Sequence, residues 1–323
     1  MTTFQVLIHG PVMPLVAEAL SKALPTVKLW EQADPAAYLK ANGHKFQALV
    51  GGWRSKIDDA VFDQMPNLKI VSNFGVGYDM VDAAAAGRRG IVVCNTPDVL
   101  NEEVADTAMG LLLMTVRKFP QAERYLRAGK WLSDGNYPLS ASLAGRRMGI
   151  VGLGRIGKAI AHRAEAFGLS IAYFGRSKQD GVTFPYYSDL VAMAREVDIL
   201  MLILPGGAGT KHLVNRAVLE ALGPDGILIN VARGTVVDEE ALIDILQKKQ
   251  ILGAGLDVFE HEPKVPQALM DLDNAVLLPH LGSSSHHTRN LMGNLVANNV
   301  LNIASGKPPL TPVAETPWPP RKG

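Results

Sequence analysis

The stretch Ile150-Val151-Gly152-Leu153-Gly154-Arg155-Ile156-Gly157 leads an apolar run into three glycines spaced as GxGxxG. A helical pattern follows it, with Ile160, Ala161 and Ala164 on one face. In a strand–turn–helix unit, the first glycine permits the tight turn, the second lets backbone approach a pyrophosphate, and the third lets the helix pack closely on the strand. The phosphates then meet free N–H groups and the helix dipole. The stretch therefore predicts a dinucleotide-binding α/β domain.

The composition limits the classes of protein to consider. The chain has 323 residues, of which 47% are hydrophobic, so we expect a large core and about two domains. A net charge of +1 gives no electrostatic reason to expect nucleic acid or a membrane surface as a partner. The single cysteine, Cys94, excludes an intrachain disulfide framework and a Cys-rich metal site, and it favours a reducing cytoplasm.

No segment has the pattern of a targeting or membrane-spanning sequence. The first eight residues lack a basic region and a long apolar run, so they indicate a strand and not a signal peptide. No stretch approaches the roughly 18 uninterrupted apolar residues that a membrane span requires. We therefore expect a cytoplasmic protein.

Strands and helices alternate along the chain at the spacing of βαβ units, which favours parallel sheets. A first α/β region contains short apolar strands and ends near residue 99, and its second strand is predicted at 27–30. A long helix is predicted at 101–119, and about six further strands follow, beginning with the strand of the glycine motif. The pattern predicts two doubly wound parallel-sheet domains.

The final predicted helix, 288–304, begins after this second sheet is complete, so we expect it to cross back to the first domain. The predicted domains are therefore a discontinuous first domain, 1–99 with 288–323, and a dinucleotide-binding domain, 100–287.

Three ionisable residues follow predicted strands of the second domain, where doubly wound sheets bind their ligands. Arg233 can grip a carboxylate with two hydrogen bonds, Glu262 can hold a histidine in its protonated form, and His280 can exchange a proton. Taken singly, Arg233 also fits a surface salt bridge, Glu262 a solvated loop carboxylate, and His280 a partly buried histidine. Together they predict an anion clamp beside a Glu–His acid/base pair, which reduction of a 2-oxo acid requires.

Seven ordered motifs resemble the D-2-hydroxyacid dehydrogenase family over nearly the whole chain. The motifs are Asn73-Phe74-Gly75-Val76-Gly77-Tyr78-Asp79, Asn95-Thr96-Pro97, Val104-Ala105-Asp106, Gly152 to Gly157, Asn230 to Gly234, Gly255-Leu256-Asp257-Val258-Phe259 with Glu262-Pro263, and Leu278-Pro279-His280. Among the branches, the chain looks most like the glyoxylate/hydroxypyruvate reductases, and the hydroxyphenylpyruvate reductases are similar.

The resemblance implies a Rossmann-type nucleotide domain, and it implies that the discontinuous first domain, 1–99 with 288–323, is a flavodoxin-like outer domain that binds substrate. It implies that Arg233 binds the carboxylate and oxo oxygen of the substrate, that His280 is the acid/base, and that Glu262 supports His280. The backbone at Val76 and Gly77 would hold the other side of the carboxylate. The expected reaction is hydride transfer from a nicotinamide to the 2-oxo carbon, which turns glyoxylate into glycolate and hydroxypyruvate into D-glycerate.

The cofactor site implied by the resemblance lies in the second domain, with Asp257 bonded to the nicotinamide carboxamide. Its other members are Gly152, Gly154, Arg155, Ile156, Gly157, Thr107, Val231 and Gly282, together with the turn of Arg176, Ser177 and Lys178.

That turn predicts which dinucleotide binds. In NAD enzymes of this fold an acidic residue lies about 20 residues after the glycine motif and accepts a hydrogen bond from the ribose 2′-OH. The corresponding run Tyr173-Phe174-Gly175-Arg176-Ser177-Lys178 holds no carboxylate. Arg176 and Ser177 can instead bind a 2′-phosphate, so we predict NADP(H) in preference to NAD(H), which stays possible at lower efficiency. The alternative is a basic surface turn.

The family's substrate loop corresponds to residues 51–55. Trp53 could narrow the pocket and Arg54 could meet a second polar group, which favours a small, polar oxo acid. A tryptophan can equally form a stacking wall, so 4-hydroxyphenylpyruvate and other 2-oxo acids stay open as alternative substrates.

Residues 120–145 resemble the segment through which family members form homodimers across the nucleotide domain. Trp131 is placed either at that interface or in ordinary core. A nucleotide-sensing regulator would leave Arg233, Glu262 and His280 without a purpose, and so would a methyltransferase. No metal site is expected, because the adjacent His286 and His287 would face about 100° apart on a helix.

Overall fold

The computed structural model describes residues 3–52 and 56–319. The chain divides into two compact units, one of Met1–Leu100 with Ser285–Gly323 and the other of Asn101–Ser284. The assignment of these parts as a substrate domain and a dinucleotide-binding domain stays a prediction. Trp53 and Arg54 lie outside the described residues, and their roles also stay predictions.

The first unit is built on a five-stranded parallel sheet. Its strands are β1 (Val6–Ile8), β2 (Thr26–Lys28), β3 (Ala48–Gly52), β4 (Ile70–Phe74) and β5 (Val92–Cys94). Its first helices are α1 (Pro14–Ala23), α2 (Pro35–Asn42), α3 (Asp59–Phe62) and α4 (Ala83–Arg88). The strand order is β2-β1-β3-β4-β5, which is that of a flavodoxin-like fold. The predicted fold class is confirmed for this unit.

Aspartates begin three of these helices. Asp34, Asp58 and Asp82 each accept a hydrogen bond from a backbone N–H in the first turn, so they satisfy a donor that has no partner within the helix.

The second strand is shorter than predicted. It ends at Lys28, and Leu29–Glu31 forms a 3₁₀ turn. The reason lies in its partner, because β2 is an edge strand that pairs only with the three residues of β1, and Lys28 lies opposite the last of them, Ile8.

The second unit is built on a seven-stranded parallel sheet. Its strands are β6 (Arg147–Val151), β7 (Ser170–Phe174), β8 (Tyr186–Tyr187), β9 (Ile199–Leu202), β10 (Ile227–Asn230), β11 (Gly253–Leu256) and β12 (Ala275–Leu277). Its helices are α5 (Asn101–Arg117), α6 (Phe119–Arg127), α7 (Lys130–Ser133), α8 (Arg155–Ala166), α9 (Leu190–Glu196), α10 (Arg216–Leu222), α11 (Glu239–Gln247) and α12 (Gln267–Met270).

The order of these strands is β12-β11-β10-β9-β6-β7-β8, which contains the Rossmann order with one strand added beyond β11. The predicted Rossmann-type sheet is therefore confirmed, with seven strands in place of about six. The strand that the sequence pattern did not predict is β8, which has only two residues and pairs with β7, so it has no apolar run that the pattern could reveal. The strand order reverses at β6, between β7 and β9, where sheets of this kind bind ligands.

The helix predicted at 101–119 is divided in the structure. Helix α5 ends at Arg117, Lys118 takes a left-handed conformation with φ of 53°, and α6 begins at Phe119 with a proline in its first turn. Pro120 has no N–H to donate the hydrogen bond that would continue α5, and its ring would clash with the carbonyl four residues earlier, so α5 ends before it.

The segment after this break carries several exposed apolar side chains. Trp131 is 62% exposed, so its placement in ordinary core is wrong. The other large apolar side chains exposed between residues 119 and 139 are Phe119, Leu126, Leu132 and Leu139.

The last helix, α13 (His286–Ala304), belongs to the first unit. The helix begins at His286, two residues earlier than the sequence pattern indicated, because the hydroxyl of the N-cap residue Ser285 accepts a hydrogen bond from the Thr288 N–H. The helix packs closely on α1, where a Cβ at Gly293 would lie 2.7 Å from Leu15 Cδ1. Among the described residues, no helix combines the length and the apolar character needed to cross a membrane.

Candidate active site

The glycine motif forms a turn from β6 into α8. Gly152 has φ of 102°, and a Cβ there would overlap the carbonyl oxygen of Ile203. A Cβ at Gly157 would overlap the carbonyl oxygen of Gly152, so the helix lies directly on the turn. Both positions therefore require glycine for the fold itself.

Gly154 differs from its two neighbours in the motif. It is the N-cap of α8 and is exposed. In the part of the chain that the structure describes, no heavy atom beyond its two chain neighbours lies within 4 Å of the position that its Cβ would take. Open space thus faces the N–H groups of a twelve-residue helix, and the residues present fit a bound pyrophosphate.

The turn after β7 lies next to this site because β6 and β7 are paired along their length. Arg176, Ser177 and Lys178 are all exposed in it. Their donors and positive charges fit a phosphate monoester.

The structure brings His280 and Glu262 together. His280 Nδ1 lies 2.9 Å from Glu262 Oε2, and the two side chains are 29% and 17% exposed. The other carboxylate oxygen accepts a hydrogen bond from the Phe259 N–H at 3.1 Å. Because an ionised carboxylate can only accept, we assign the proton to Nδ1, and this hydrogen bond orients the ring.

The charge state of Glu262 follows from opposing effects on its pKa. Burial raises the pKa, but the hydrogen bond and charge of His280, the Phe259 N–H and the charge of Arg233 lower it by more. The net pKa of Glu262 lies below its ordinary value, so this carboxyl is ionised at neutral pH.

The backbone at His280 is held in an unusual conformation. Its φ is 55°, a left-handed region that costs a non-glycine residue roughly 1–2 kcal/mol. Its N–H donates to the carbonyl of Asp257 at 2.9 Å and lies 3.1 Å from that of Leu278. Strain of this kind persists only where the surroundings impose it, and it is concentrated at functional sites.

Asp257, at the end of β11, organises the loop that follows β12. It is 2% exposed, and its carboxylate accepts hydrogen bonds from the N–H groups of Leu281 at 2.6 Å and Gly282 at 2.8 Å. Burial raises the pKa of Asp257 above its ordinary value, although the two N–H groups oppose the shift. The residue therefore anchors the loop that presents His280, a role that its sequence position did not indicate.

Arg233 follows β10 and is partly buried. Its Nη1 donates to the Ala232 carbonyl at 2.7 Å, and its positive charge lowers the pKa of Glu262. The turn is shaped by the buried Asn230, whose amide donates to the Arg233 carbonyl at 3.0 Å and accepts from the Ala232 N–H at 3.0 Å. Arg233, Glu262 and His280 thus meet at the carboxyl edge of one sheet.

Comparison with known proteins places the chain in a family. The family model of the D-isomer specific 2-hydroxyacid dehydrogenase NAD-binding domain matches residues 109–282. The chain belongs to the D-isomer specific 2-hydroxyacid dehydrogenases. It is similar to hydroxyphenylpyruvate reductase of Plectranthus scutellarioides, with 43% identity over 97% of this chain and 100% of that protein. Glyoxylate/hydroxypyruvate reductase A of Arabidopsis thaliana is 42% identical over the same shares.

Among solved structures, the dehydrogenase is similar to NADPH-dependent glyoxylate/hydroxypyruvate reductase of Sinorhizobium meliloti, crystallised with NADP and malonate. The TM-score is 0.93 with 52% identity, and the match covers 99% of each chain. A 2-hydroxyacid dehydrogenase of Ketogulonicigenium vulgare is also similar, with a TM-score of 0.90, 41% identity and coverage of 97% of this chain and 99% of that one. The predicted family is confirmed by these matches.

The remaining predicted cofactor residues of this dehydrogenase also lie in the second unit. The Thr107 hydroxyl donates to the Glu103 carbonyl at 3.0 Å and lies 3.5 Å from the Gly282 carbonyl. Val231 is 7% exposed directly after β10, and Arg155 and Ile156 form the first turn of α8. Their contacts with a dinucleotide stay predictions.

In the first unit of the dehydrogenase, two asparagines shape the loop that contains Val76 and Gly77. The Asn73 amide lies 3.2 Å from the Gly75 carbonyl and 2.9 Å from the Gly77 carbonyl, and the Asn95 amide donates to the Val76 carbonyl at 2.8 Å. These carbonyls accept bonds from within the unit, an arrangement that suits a loop whose N–H groups bind an anion. The predicted contact of Val76 and Gly77 with substrate is not tested by this geometry and stays a prediction.

Within residues 3–52 and 56–319 of the dehydrogenase, no group of three or more His, Cys, Asp or Glu side chains is arranged to hold a metal ion.

Proposed function

We propose that this dehydrogenase is an NADPH-dependent reductase of small 2-oxo acids, which converts glyoxylate to glycolate and hydroxypyruvate to D-glycerate. The observation that carries the proposal is the Arg233–Glu262–His280 group at the carboxyl edge of a dinucleotide-binding sheet. The glyoxylate/hydroxypyruvate reductases among its relatives support the substrate class, and the NADP in the S. meliloti structure supports the cofactor.

In the proposed mechanism, Arg233 binds the carboxylate and the oxo oxygen of the substrate with its guanidinium donors. NADPH, when bound, supplies a hydride to the 2-oxo carbon. His280 gives its Nε2 proton to the oxygen that gains charge, and Glu262 holds the imidazolium in place through Nδ1. His280 then recovers a proton from solvent, so each turnover adds one hydride and one proton to the oxo group.

The cofactor preference rests on the turn after β7. Arg176, Ser177 and Lys178 bind the 2′-phosphate, while Gly152, Gly154, Arg155, Ile156 and Gly157 hold the pyrophosphate at the start of α8. Thr107, Val231, Asp257 and Gly282 lie at the nicotinamide end. On the substrate side, Val76 and Gly77 hold the carboxylate through backbone N–H groups, and Trp53 and Arg54 limit the size of the oxo acid.

A side-by-side assay tests the proposal. Purified protein is given glyoxylate, hydroxypyruvate, pyruvate or 4-hydroxyphenylpyruvate with NADPH or NADH, and oxidation of the reduced nicotinamide is followed by absorbance. We expect the highest kcat/KM with glyoxylate or hydroxypyruvate and NADPH. The second candidate, reduction of 4-hydroxyphenylpyruvate, is favoured by the 43% identity to the P. scutellarioides enzyme, and a highest kcat/KM with that substrate would select it. Absence of oxidation with all four acids would favour a nucleotide-sensing regulator.

We also propose that the protein is a cytoplasmic homodimer joined through the second unit. The exposed apolar side chains between residues 119 and 139, Trp131 and Leu132 among them, support this contact surface. Light scattering after size-exclusion chromatography is expected to give twice the chain mass of 34.7 kDa, and replacement of Trp131 and Leu132 by serine should shift that mass toward the monomer. A wild-type protein with the mass of one chain would contradict the proposal.

A further inference from the structure

The turn Gly175–Lys178 carries the basic side chains but has no regular secondary structure. Both of its ends are nevertheless fixed by tyrosine hydroxyls. The Tyr173 hydroxyl accepts a hydrogen bond from the Gln179 N–H at 2.8 Å, and the Tyr186 hydroxyl donates to the Gly175 carbonyl at 3.2 Å. The short strand β8 thus has a function, since it brings Tyr186 to this turn.

The two tyrosines form a rigid base for the turn. Tyr173 is completely buried, and it pairs with Tyr186 across β7 and β8. Their ring centroids are 5.3 Å apart at an interplanar angle of 48°. Side chains packed in this way hold their hydroxyls in place, so both ends of the turn are positioned by the sheet.

The Gln179 side chain links this turn to the glycine motif. Its Nε2 donates to the Leu153 carbonyl at 2.8 Å, and Leu153 lies between Gly152 and Gly154. At the other end of the turn, the Gly152 N–H donates to the Phe174 carbonyl at 3.0 Å. The turn is therefore tied to the pyrophosphate-binding loop both where it begins and where it ends.

We propose that Gln179 is a positioning residue that sets the turn Gly175–Lys178 against the glycine motif and thereby determines selectivity for NADPH over NADH. The inference rests on the proposed function, and specifically on the binding of a 2′-phosphate by Arg176 and Ser177. Long exposed side chains lose conformational freedom when they bind a phosphate. A turn that is already held at the correct distance from the glycine motif reduces that loss of conformational freedom. NADH has no 2′-phosphate, so its binding does not depend on the turn in this way.

The test measures Kd for NADPH and for NADH by isothermal titration calorimetry, without substrate. The variant Gln179→Leu keeps the approximate volume but removes the donor, and Gln179→Ala serves as a second variant if the first does not fold. We expect Kd for NADPH to rise about tenfold, the effect of losing one well-placed hydrogen bond, and Kd for NADH to change little. Gln250→Leu, an exposed glutamine beyond α11, is the matched control and should leave both values unchanged.

Comparison with Arg176→Ala separates positioning from general loosening of the structure. Arg176→Ala is expected to weaken NADPH far more than NADH. If Gln179 acts through the turn that carries Arg176, the double variant should bind NADPH only slightly more weakly than Arg176→Ala alone. Hydrogen exchange in the absence of cofactor should be faster at residues 175–178 in Gln179→Leu than in wild type.

The outcomes that overturn the inference are distinct from those that overturn the proposed function. Wild-type protein that binds NADH more tightly than NADPH overturns the cofactor preference and the inference with it. If wild type prefers NADPH but Gln179→Leu has an unchanged ratio of the two Kd values, the inference alone fails. An equal rise in both Kd values assigns Gln179 a purely structural role and also overturns the inference.

Discussion

Replacement of His280 by alanine is expected to lower kcat for glyoxylate reduction by about 10²- to 10⁴-fold, the usual contribution of a positioned general acid. The reason is geometric: Glu262 holds Nδ1 of the ring at 2.9 Å, and in the proposed mechanism Nε2 delivers the proton to the oxo oxygen. Kd for NADPH should change little, because the proposed phosphate contacts belong to the glycine motif and the turn after β7. Steady-state kinetics and calorimetry on the same preparation measure both quantities.

A second variant separates the loss of the proton donor from a change in backbone strain. His280 has φ of 55°, and asparagine is among the residues that tolerate this conformation best. His280→Asn should therefore keep the loop but still lose kcat to the same extent. His44→Ala, at an exposed histidine of the first unit, is the control. Turnover by His280→Asn at the wild-type rate would remove His280 from the proposed role.

Glu262 and His280 together predict how the rate of reduction depends on pH, because the reaction requires an ionised Glu262 and a protonated His280. The pKa of Glu262 is lowered in the folded protein. Its ionised carboxylate therefore contributes stability at pH values above the ordinary carboxyl range, and this stability is lost as pH falls through the lowered pKa. In the reductive direction kcat/KM should therefore hold down to the lowered pKa of Glu262 and fall below it, as protonation of that carboxyl removes the acceptor that holds His280 Nδ1. In Glu262→Gln this acid limb should be absent, because the amide side chain does not titrate. An unchanged profile would contradict the role of Glu262.

Replacement of Gly234 by alanine is expected to destabilise the protein by at least about 3 kcal/mol, at the upper end of the costs of overpacking. A Cβ at this position would overlap the backbone carbonyl group of Phe259. Backbone atoms cannot turn away as a flexible side chain can, so the chain segments themselves must separate. Urea denaturation measures the free energy of unfolding.

The substitution should also reduce activity in the molecules that remain folded. Gly234 directly follows Arg233, and the Phe259 N–H donates to Glu262. Separation of these segments therefore moves the anion clamp away from the Glu–His pair, and kcat/KM should fall with the stability. Gly110→Ala is the matched control, since among the described residues no heavy atom outside its chain neighbours and the backbone of its own helix lies within 4 Å of the added Cβ. It lies within α5, where alanine is favoured over glycine by about 1 kcal/mol, so that variant should be as stable as wild type or more so. Wild-type stability of Gly234→Ala would show that the two segments are not in tight contact.

Much of the fold could be predicted because its determinants are local. The spacing of Gly152, Gly154 and Gly157 predicts a strand–turn–helix unit, and the structure has β6 and α8 on either side of that turn. The alternation of apolar strands and helices predicts two parallel sheets, and both are present. The break at Lys118 and the end of β2 at Lys28 were not predicted, since one depends on a local left-handed turn and the other on the length of a partner strand.

The candidate site likewise contains residues that could be predicted from the sequence and residues that could not. Arg233, Glu262 and His280 could be selected from the sequence because each follows a predicted strand, and strands of a parallel sheet present their carboxyl ends at one edge. Residues that act by holding others gave no such signal: Asp257 anchors the loop of His280, Asn230 shapes the turn of Arg233, and Tyr186 belongs to a strand of two residues. Asp257 and Asn230 are both buried polar side chains at the end of a strand, and burial is not visible in a single sequence.

The sequence by itself determined the family, the two sheets and the identities of the ionisable groups, because glycine conformations, apolar periodicity and strand ends depend on residues close together in the chain. Only the tertiary structure decided that Glu262 reaches His280 across 18 residues, that Gln179 reaches Leu153 across 26, and that Trp131 is exposed. Contacts of this kind depend on how loops from different strands pack against one another. That packing is set by the volume and hydrogen bonding of the whole unit, which no short stretch of sequence contains.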